Sequence, residues 1–179
     1  MNVLITGATS GIGAATARLF AKNGHVLLLC GRREERLADL KKELTADYGV
    51  EVLTLCFDIR EYKEVASAVA SIPPSFKPID VLLNNAGLAS GLDFTHEADL
   101  EDWETMIDTN VKGLLYITRL LSPDMVANKS GHIINICSTA GKDVYARGNV
   151  YCATKAAVDM LTKGMRMDFY THGIRVSQV

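Results

Sequence analysis

Short runs of continuous apolar residues alternate along the chain with longer stretches whose apolar positions recur every three or four residues. Val3-Leu4-Ile5 is the first run and leads into a glycine turn. Residues 12–23 then carry helical periodicity, and Gly24 is placed as the C-terminal cap. His25 to Cys30 reads as a second strand. Residues 34–47 show charged helical periodicity that ends at Gly49. Val50 to Phe57 is a third strand, closed by Asp58. Another helix runs to Ile72, where Pro73-Pro74 ends it. Asp80 to Asn84 is a short buried strand. A long helix is predicted from about Leu100 to Ala127, with Trp103, Met106, Ile107, Asn110, Val111 and Leu114 on its inner face. Gly131 to Ser138 is a fifth strand. Residues 150–171 form a helix with Val158, Leu161, Met165 and Phe169 on one stripe. Gly173 then turns into a sixth strand, Ile174 to Val179.

Strands with near-continuous apolar runs, each followed by a helix, predict a parallel sheet covered on both faces. Right-handed crossovers make that an α/β, doubly wound arrangement. A length of 179 residues suits one domain, and 48% hydrophobic residues supply its core. No linker, repeat or low-complexity segment interrupts it. The chain stops inside or just after a buried strand, so the polypeptide is expected to continue.

A net charge of -2 offers no overall basic field for nucleic acid or an anionic membrane. No apolar run approaches the ~20 residues needed to span a bilayer. The first strand begins at Asn2, so no signal peptide is expected. Cys30, Cys56, Cys137 and Cys152 show no metal-ligand spacing. Three fall in predicted strands and one beside Tyr151, so buried free thiols in a reducing cytoplasm are expected. His25, His96, His132 and His172 are scattered, and no metal is expected.

Thr6-Gly7-Ala8-Thr9-Ser10-Gly11-Ile12-Gly13 lies between the first strand and the first helix. Gly7 permits a tight turn. Gly11 and Gly13 remove Cβ atoms so that a pyrophosphate and the next helix can approach the backbone. Free N–H groups of that helix face the anion, and Thr6, Thr9 and Ser10 add hydroxyls. NAD sites usually carry an acidic residue after the second strand for the ribose 2′-hydroxyl. This chain has Gly31-Arg32-Arg33 there instead. Guanidinium groups suit a 2′-phosphate, so NADP is expected over NAD. Asp58 could accept from the adenine amino group, with Ile59 against the ring. Asn84-Asn85-Ala86-Gly87 ends the fourth strand, where side-chain amides can brace neighbouring backbone and Ala86-Gly87 lets a cofactor pass close by.

Tyr151 and Lys155 are four residues apart at a helix start, on one helical face. A free tyrosine has a pKa of about 10 and is a poor base at pH 7. Bringing one near neutrality takes about 4 kcal/mol of preferential phenolate stabilisation. A nearby cation supplies one to three pKa units, roughly, and a positive nicotinamide ring could add the rest. Ser138 can hydrogen-bond the substrate oxygen. Asn110, unfavourable in a helix interior, could hold a water that links Lys155 to solvent. Tyr-x-x-x-Lys alone carries little information. Its value comes from the order of glycine turn, Arg pair, Asn-Asn-Ala-Gly, Asn110, Ser138, Tyr151 and Lys155.

These motifs together resemble the short-chain dehydrogenase/reductase family over the whole chain. The resemblance implies a Rossmann-type fold and hydride exchange between NADP(H) and a carbonyl/alcohol pair. Tyr151 would be the general acid/base, Lys155 would also grip the nicotinamide ribose, Ser138 would orient the substrate, and Asn110 would complete a proton relay. Glycine-turn contacts would come from Gly7, Thr9, Ser10, Gly11, Ile12 and Gly13, and further cofactor contacts from Arg32, Arg33, Asp58, Ile59, Asn85, Ala86 and Gly87. Gly31-Arg32-Arg33 with Glu35-Arg36-Leu37, the segment Glu101 to Asn110, and Gly148-Asn149-Val150-Tyr151 look like the NADP-dependent 3-hydroxy acid dehydrogenases. That subgroup, which includes serine 3-dehydrogenases, acts on L-serine, L-allo-threonine and related 3-hydroxy acids. Arg147 is expected to help bind a substrate carboxylate. Family members commonly form dimers or tetramers through the two long helices, so a homo-oligomer is expected. The family continues past the sixth strand with a Pro-Gly turn, a substrate-covering segment and a last strand. Residues 1–179 are therefore expected to hold the adenine half better than the nicotinamide half, without a lid. Two other readings stand beside this one. The first is a 3-oxoacyl-carrier-protein reductase. The second is a non-catalytic NADP-binding sensor, against which the intact Ser138, Tyr151 and Lys155 argue.

Overall fold

Residues 1–179 are described by a computed structural model. Six strands form one parallel sheet: β1 (Asn2–Thr6), β2 (Val26–Gly31), β3 (Val52–Cys56), β4 (Val81–Asn84), β5 (Gly131–Asn135) and β6 (Ile174–Gln178). Their order is β3-β2-β1-β4-β5-β6, so the sheet winds outward in both directions from β1. The chain reverses direction of travel between β1 and β4, where a crevice opens beyond the carboxyl ends of the strands.

The continuous apolar runs follow from burial on both faces. Leu4, Leu28, Leu82 and Ile133 point into one core with residues of α3 (Tyr62–Ala70), α5 (Leu114–Asn128) and α6 (Asn149–Phe169). Val3, Ile5, Leu27, Leu29, Val81 and Leu83 point into the other, against α1 (Gly11–Lys22) and α2 (Glu34–Tyr48). The doubly wound α/β sheet inferred from the sequence is thus the observed one. No helix is long and apolar enough to cross a membrane.

Three expectations need correction. The single helix over 100–127 is two, α4 (Leu100–Ile107) and α5, joined by a wide π-type turn over Asp108–Gly113. The extra residue in that turn rotates α5 relative to α4. Ile107 is consequently exposed and Val111 only half-buried, while Met106, Thr109, Asn110 and Leu114 are buried. The fifth strand pairs only as far as Asn135, and Ser138 lies in the extended segment beyond it. Of the thiols, only Cys30 and Cys152 are buried. Cys56 is exposed at the end of β3, and Cys137 is half-buried past β5.

A buried polar ladder crosses the core between sheet and helices. Asn84 Nδ2 donates to Thr118 Oγ1 and to Asn135 Oδ1, each at 2.9 Å. Asn135 Nδ2 donates to Thr162 Oγ1 at 2.9 Å, and that hydroxyl donates to the Val158 carbonyl. The ladder pins the ends of β4 and β5 to α5 and α6, and those strand ends carry the site. Truncating its centre leaves buried partners unpaired. Asn135→Ala is expected to lower the unfolding free energy by about 2–4 kcal/mol, read as a reduced midpoint in urea unfolding followed by circular dichroism.

Candidate active site and cofactor groove

A groove of about 990 Å³ runs along the carboxyl ends of the strands. The turn after β1 forms its floor. Gly7 sits at φ +64°, in the left-handed region that favours glycine. A Cβ on Gly7 would lie 2.9 Å from Ala86 Cα, and one on Gly13 would lie 2.5 Å from both Asn85 Nδ2 and the Gly7 carbonyl. Gly13 therefore serves packing between α1 and the strand ends. Gly11 has open space around its missing side chain and sits at φ +52°, facing the groove.

Asn85 and Thr6 lock this floor. Thr6 Oγ1 donates to the Leu83 carbonyl and accepts from the N–H groups of Asn85 and Ala86, both at 3.0 Å. Asn85 Nδ2 donates to the carbonyls of Thr6 and Gly7 at 2.9 and 3.1 Å. The bracing expected of the Asn-Asn-Ala-Gly segment is present, and its partner is the glycine turn itself.

The groove fits a dinucleotide with phosphates at its head. No side chain caps the N-terminus of α1, and no acidic residue lies in its first turn. Its orphan N–H groups are left for an anion. Arg33 Nη2 donates to Thr9 Oγ1 at 2.7 Å and to Ser10 Oγ at 3.3 Å, which draws a second positive charge over the same turn. Arg32 lines the groove beside it. Asp58 and Ile59 also line it, but the Asp58 carboxylate is already engaged. It accepts from the Arg60 backbone N–H at 3.0 Å and from Arg60 Nε and Nη2 at distances down to 2.7 Å. Burial pushes this carboxyl up, yet the Arg60 hydrogen bonds and charge outweigh burial and hold it below the ordinary range. An adenine amino group would share Asp58 with Arg60. Ile59 is buried against Gly113, where an added Cβ would meet it at 2.9 Å, so only part of it faces the groove. The sequence reading gives Arg60 no role, although Asp-x-Arg at a strand end is the spacing that permits this fork.

At the other end of the groove, Ser138, Tyr151 and Lys155 share one wall. Ser138 Oγ accepts the Ala140 N–H at 3.1 Å, which leaves its own hydrogen free to donate. Lys155 is buried, and its Nζ donates to the Ile136 carbonyl at 3.0 Å. The ammonium lies 5.9 Å from the centre of the Tyr151 ring. Burial pushes the Lys155 ammonium below the usual lysine range. Asn110 Nδ2 is spent on the Leu88 carbonyl (2.8 Å) and Thr154 Oγ1 (3.0 Å), while Oδ1 accepts the Leu88 N–H at 2.9 Å. Its side chain is thus mainly a brace, clamping the loop after β4 to α6. One lone pair of Oδ1 remains. A Cβ built on Gly87 would lie 3.2 Å from Oδ1 and 3.6 Å from Lys155 Nζ, so the two polar atoms flank Gly87.

Arg147 is not in the groove. It lines a small adjoining recess with Ser90, Asp102, Asn149 and Tyr151. Its guanidinium stacks over Phe94, 4.6 Å from the ring centre, and its backbone sits at φ +66°. Asp102 accepts a hydrogen bond from the Ser90 hydroxyl in the same recess. Arg147 and Ser138 therefore approach Tyr151 from different cavities.

The family model described as short chain dehydrogenase matches residues 1–179. The chain is 51% identical over 179 residues to the NADP-dependent 3-hydroxy acid dehydrogenase YdfG of Salmonella typhi, covering 100% of this chain and 71% of that protein. Its structure resembles the crystal structure of serine dehydrogenase from Escherichia coli, with a TM-score of 0.95 and 48% identity over 99% of this chain and 81% of that one. The closed form of serine dehydrogenase complexed with NADP+ matches with a TM-score of 0.93 and 48% identity, covering 99% of this chain and 70% of that one.

The two glycines of the turn make a contrasting pair of tests. Gly13→Ala drives a methyl into backbone and is expected to weaken NADPH binding at least tenfold and to lower the melting midpoint. Gly11→Ala meets only the left-handed backbone cost of about 1 kcal/mol. Fluorescence titration with NADPH and thermal unfolding read both.

Proposed function

The chain belongs to the short chain dehydrogenase family, and from that premise we propose that residues 1–179 form an NADP-binding catalytic domain acting on a small 3-hydroxy acid/3-oxo acid pair. It is an NADP-dependent oxidoreductase of hydroxyl-bearing substrates. The observation that carries the site assignment is the shared groove: the glycine turn, Ser138, Tyr151 and Lys155 line one continuous cavity.

NADP, when bound, supplies the hydride acceptor or donor. The chain's own residues handle the oxygen and its proton. Ser138, its lone pair held by the Ala140 N–H, donates to the substrate oxygen and fixes it against the Tyr151 hydroxyl. In the oxidative direction Tyr151 takes the hydroxyl proton as the carbinol hydrogen leaves, and in reduction it returns that proton to the carbonyl oxygen. The Lys155 ammonium offsets the negative charge left on the Tyr151 oxygen. Its Nζ bond to Ile136 fixes the ammonium in the groove wall beside Tyr151. The remaining lone pair of Asn110 Oδ1, across Gly87 from Lys155, would hold a water that links Lys155 to solvent and relays the proton.

Subgroup likeness supports a carboxylate-bearing substrate such as L-serine, L-allo-threonine or 3-hydroxyisobutyrate; Arg147 would reach that carboxylate only by leaving Phe94 and the recess it shares with Asp93, Asp99 and Asp102. Ile107 and Leu115 on the α4–α5 side, with Met160 and Met167 on α6, are exposed and apolar and support a homodimer or homotetramer.

Tyr151→Phe is expected to cut turnover at least a thousandfold while leaving NADPH affinity within about threefold. Titration and steady-state kinetics separate the two. Retained turnover overturns the role of Tyr151. In a substrate panel with NADP(H), L-serine and 3-hydroxyisobutyrate should be oxidised, and acetoacetyl thioesters should be reduced poorly. The reverse ranking favours a 3-oxoacyl-carrier-protein reductase.

A further inference from the structure

We propose that Arg60 sets the preference for NADP over NAD by occupying the Asp58 carboxylate and so keeping Arg32 free for the 2′-phosphate. The inference rests on the reading that Arg32 and Arg33 receive that phosphate.

The geometry is a competition for one carboxylate. Asp58 closes β3 and Arg32 follows β2, its immediate neighbour in the sheet. Arg60 makes a fork to both Asp58 oxygens, with Nε at 3.1 and 3.0 Å and Nη2 at 2.7 Å, and adds its backbone N–H to Oδ1. Arg32 Nη1 stays 3.6 Å from Oδ2, near enough to feel the charge and outside hydrogen-bond range. The Arg32 side chain is 56% exposed and the Asp58 side chain 19%, so the guanidinium lies toward the open groove and the carboxylate behind it.

Without Arg60 the carboxylate has one good partner left. Arginine and carboxylate favour a two-pronged pair, and Arg32 already stands within a side-chain adjustment of making it. Such a pair would offer the 2′-phosphate a neutralised guanidinium with a carboxylate at its back. NAD has a hydroxyl at that place. An uncharged hydroxyl gains little from Arg32, whether or not Asp58 neutralises it. Arg60 thus keeps the Asp58 charge off the guanidinium that the 2′-phosphate needs. Other acids lie near. Glu61 and Asp108 face Arg60, and Asp108 pairs with Lys112 at 2.7 Å. Glu64 accepts the Asp58 backbone N–H at 2.9 Å. None of them contacts Arg32.

The test is equilibrium binding of NADPH and NADH, read by cofactor fluorescence on the full chain. Arg60→Met is expected to weaken NADPH binding about tenfold and to leave NADH unchanged. Adding Asp58→Asn in the same chain should restore NADPH to within about threefold, because the competing charge is gone. Arg60→Lys, which keeps the charge and loses the fork, should fall between. Equal weakening of both cofactors, or no rescue by Asp58→Asn, overturns the proposal and leaves Arg60 a structural residue. Arg32→Ala, measured in parallel, should weaken NADPH alone. If it does not, the phosphate assignment fails and this proposal with it. If Arg32→Ala weakens NADPH and Arg60→Met does not, only the role of Arg60 is overturned.

Discussion

The close approach of two strand ends governs this molecule. The turn after β1 and the segment after β4 pack without room for a single methyl at Gly7 or Gly13. One hydroxyl and one amide hold them there: Thr6 satisfies three backbone groups, and Asn85 reaches two carbonyls on the other side. Five hydrogen bonds converge on that joint, and the low local dielectric strengthens them. The groove exists because the chains diverge immediately beyond it. The glycine turn and the loop that Asn110 braces take their positions from that joint.

The wall that holds Ser138, Tyr151 and Lys155 is assembled by analogous means from the far side of the sheet. The Asn84–Asn135–Thr162 ladder sets the height of β4 and β5 against α5 and α6. Asn110 ties the loop after β4 to Thr154, next to Lys155 and about one turn from Tyr151. Ser138 enters on extended chain beyond β5, and Lys155 reaches back to bond the same chain at Ile136. Asn84, Asn85, Asn110 and Asn135 thus do the positioning, while Ser138 comes from one strand end and Tyr151 and Lys155 from one helix.

Much of this was legible in the chain because each legible feature has a local cause. A strand buried on both faces must be apolar throughout, which is why Leu27-Leu28-Leu29 announces itself. Gly7 needs a left-handed backbone, and Tyr151 and Lys155 need one helical face. The features that stayed hidden depend on contacts distant in sequence. The break between α4 and α5 arises where Asn110 bonds Leu88 and Gly113 packs on Ile59, and periodicity alone carries no sign of either. Asp58 was readable as a groove residue, but its capture by Arg60 depends on a fork geometry that composition does not reveal. Arg147 was placed in the correct loop, yet its stacking on Phe94 and its separate recess come from the path of that loop.

Lys155 carries an implication for how such a domain can be improved. Its charge is held out of water beside a carbonyl, where the folded chain binds a proton less readily than the unfolded chain does. The sign of that linkage is adverse: the penalty is complete below the folded pKa and fades only as alkaline solution removes the proton from both forms. A neutral side chain of similar reach would escape that penalty but leave the Ile136 carbonyl without its donor. The two effects oppose each other, so hardening of the scaffold is better sought away from this lysine.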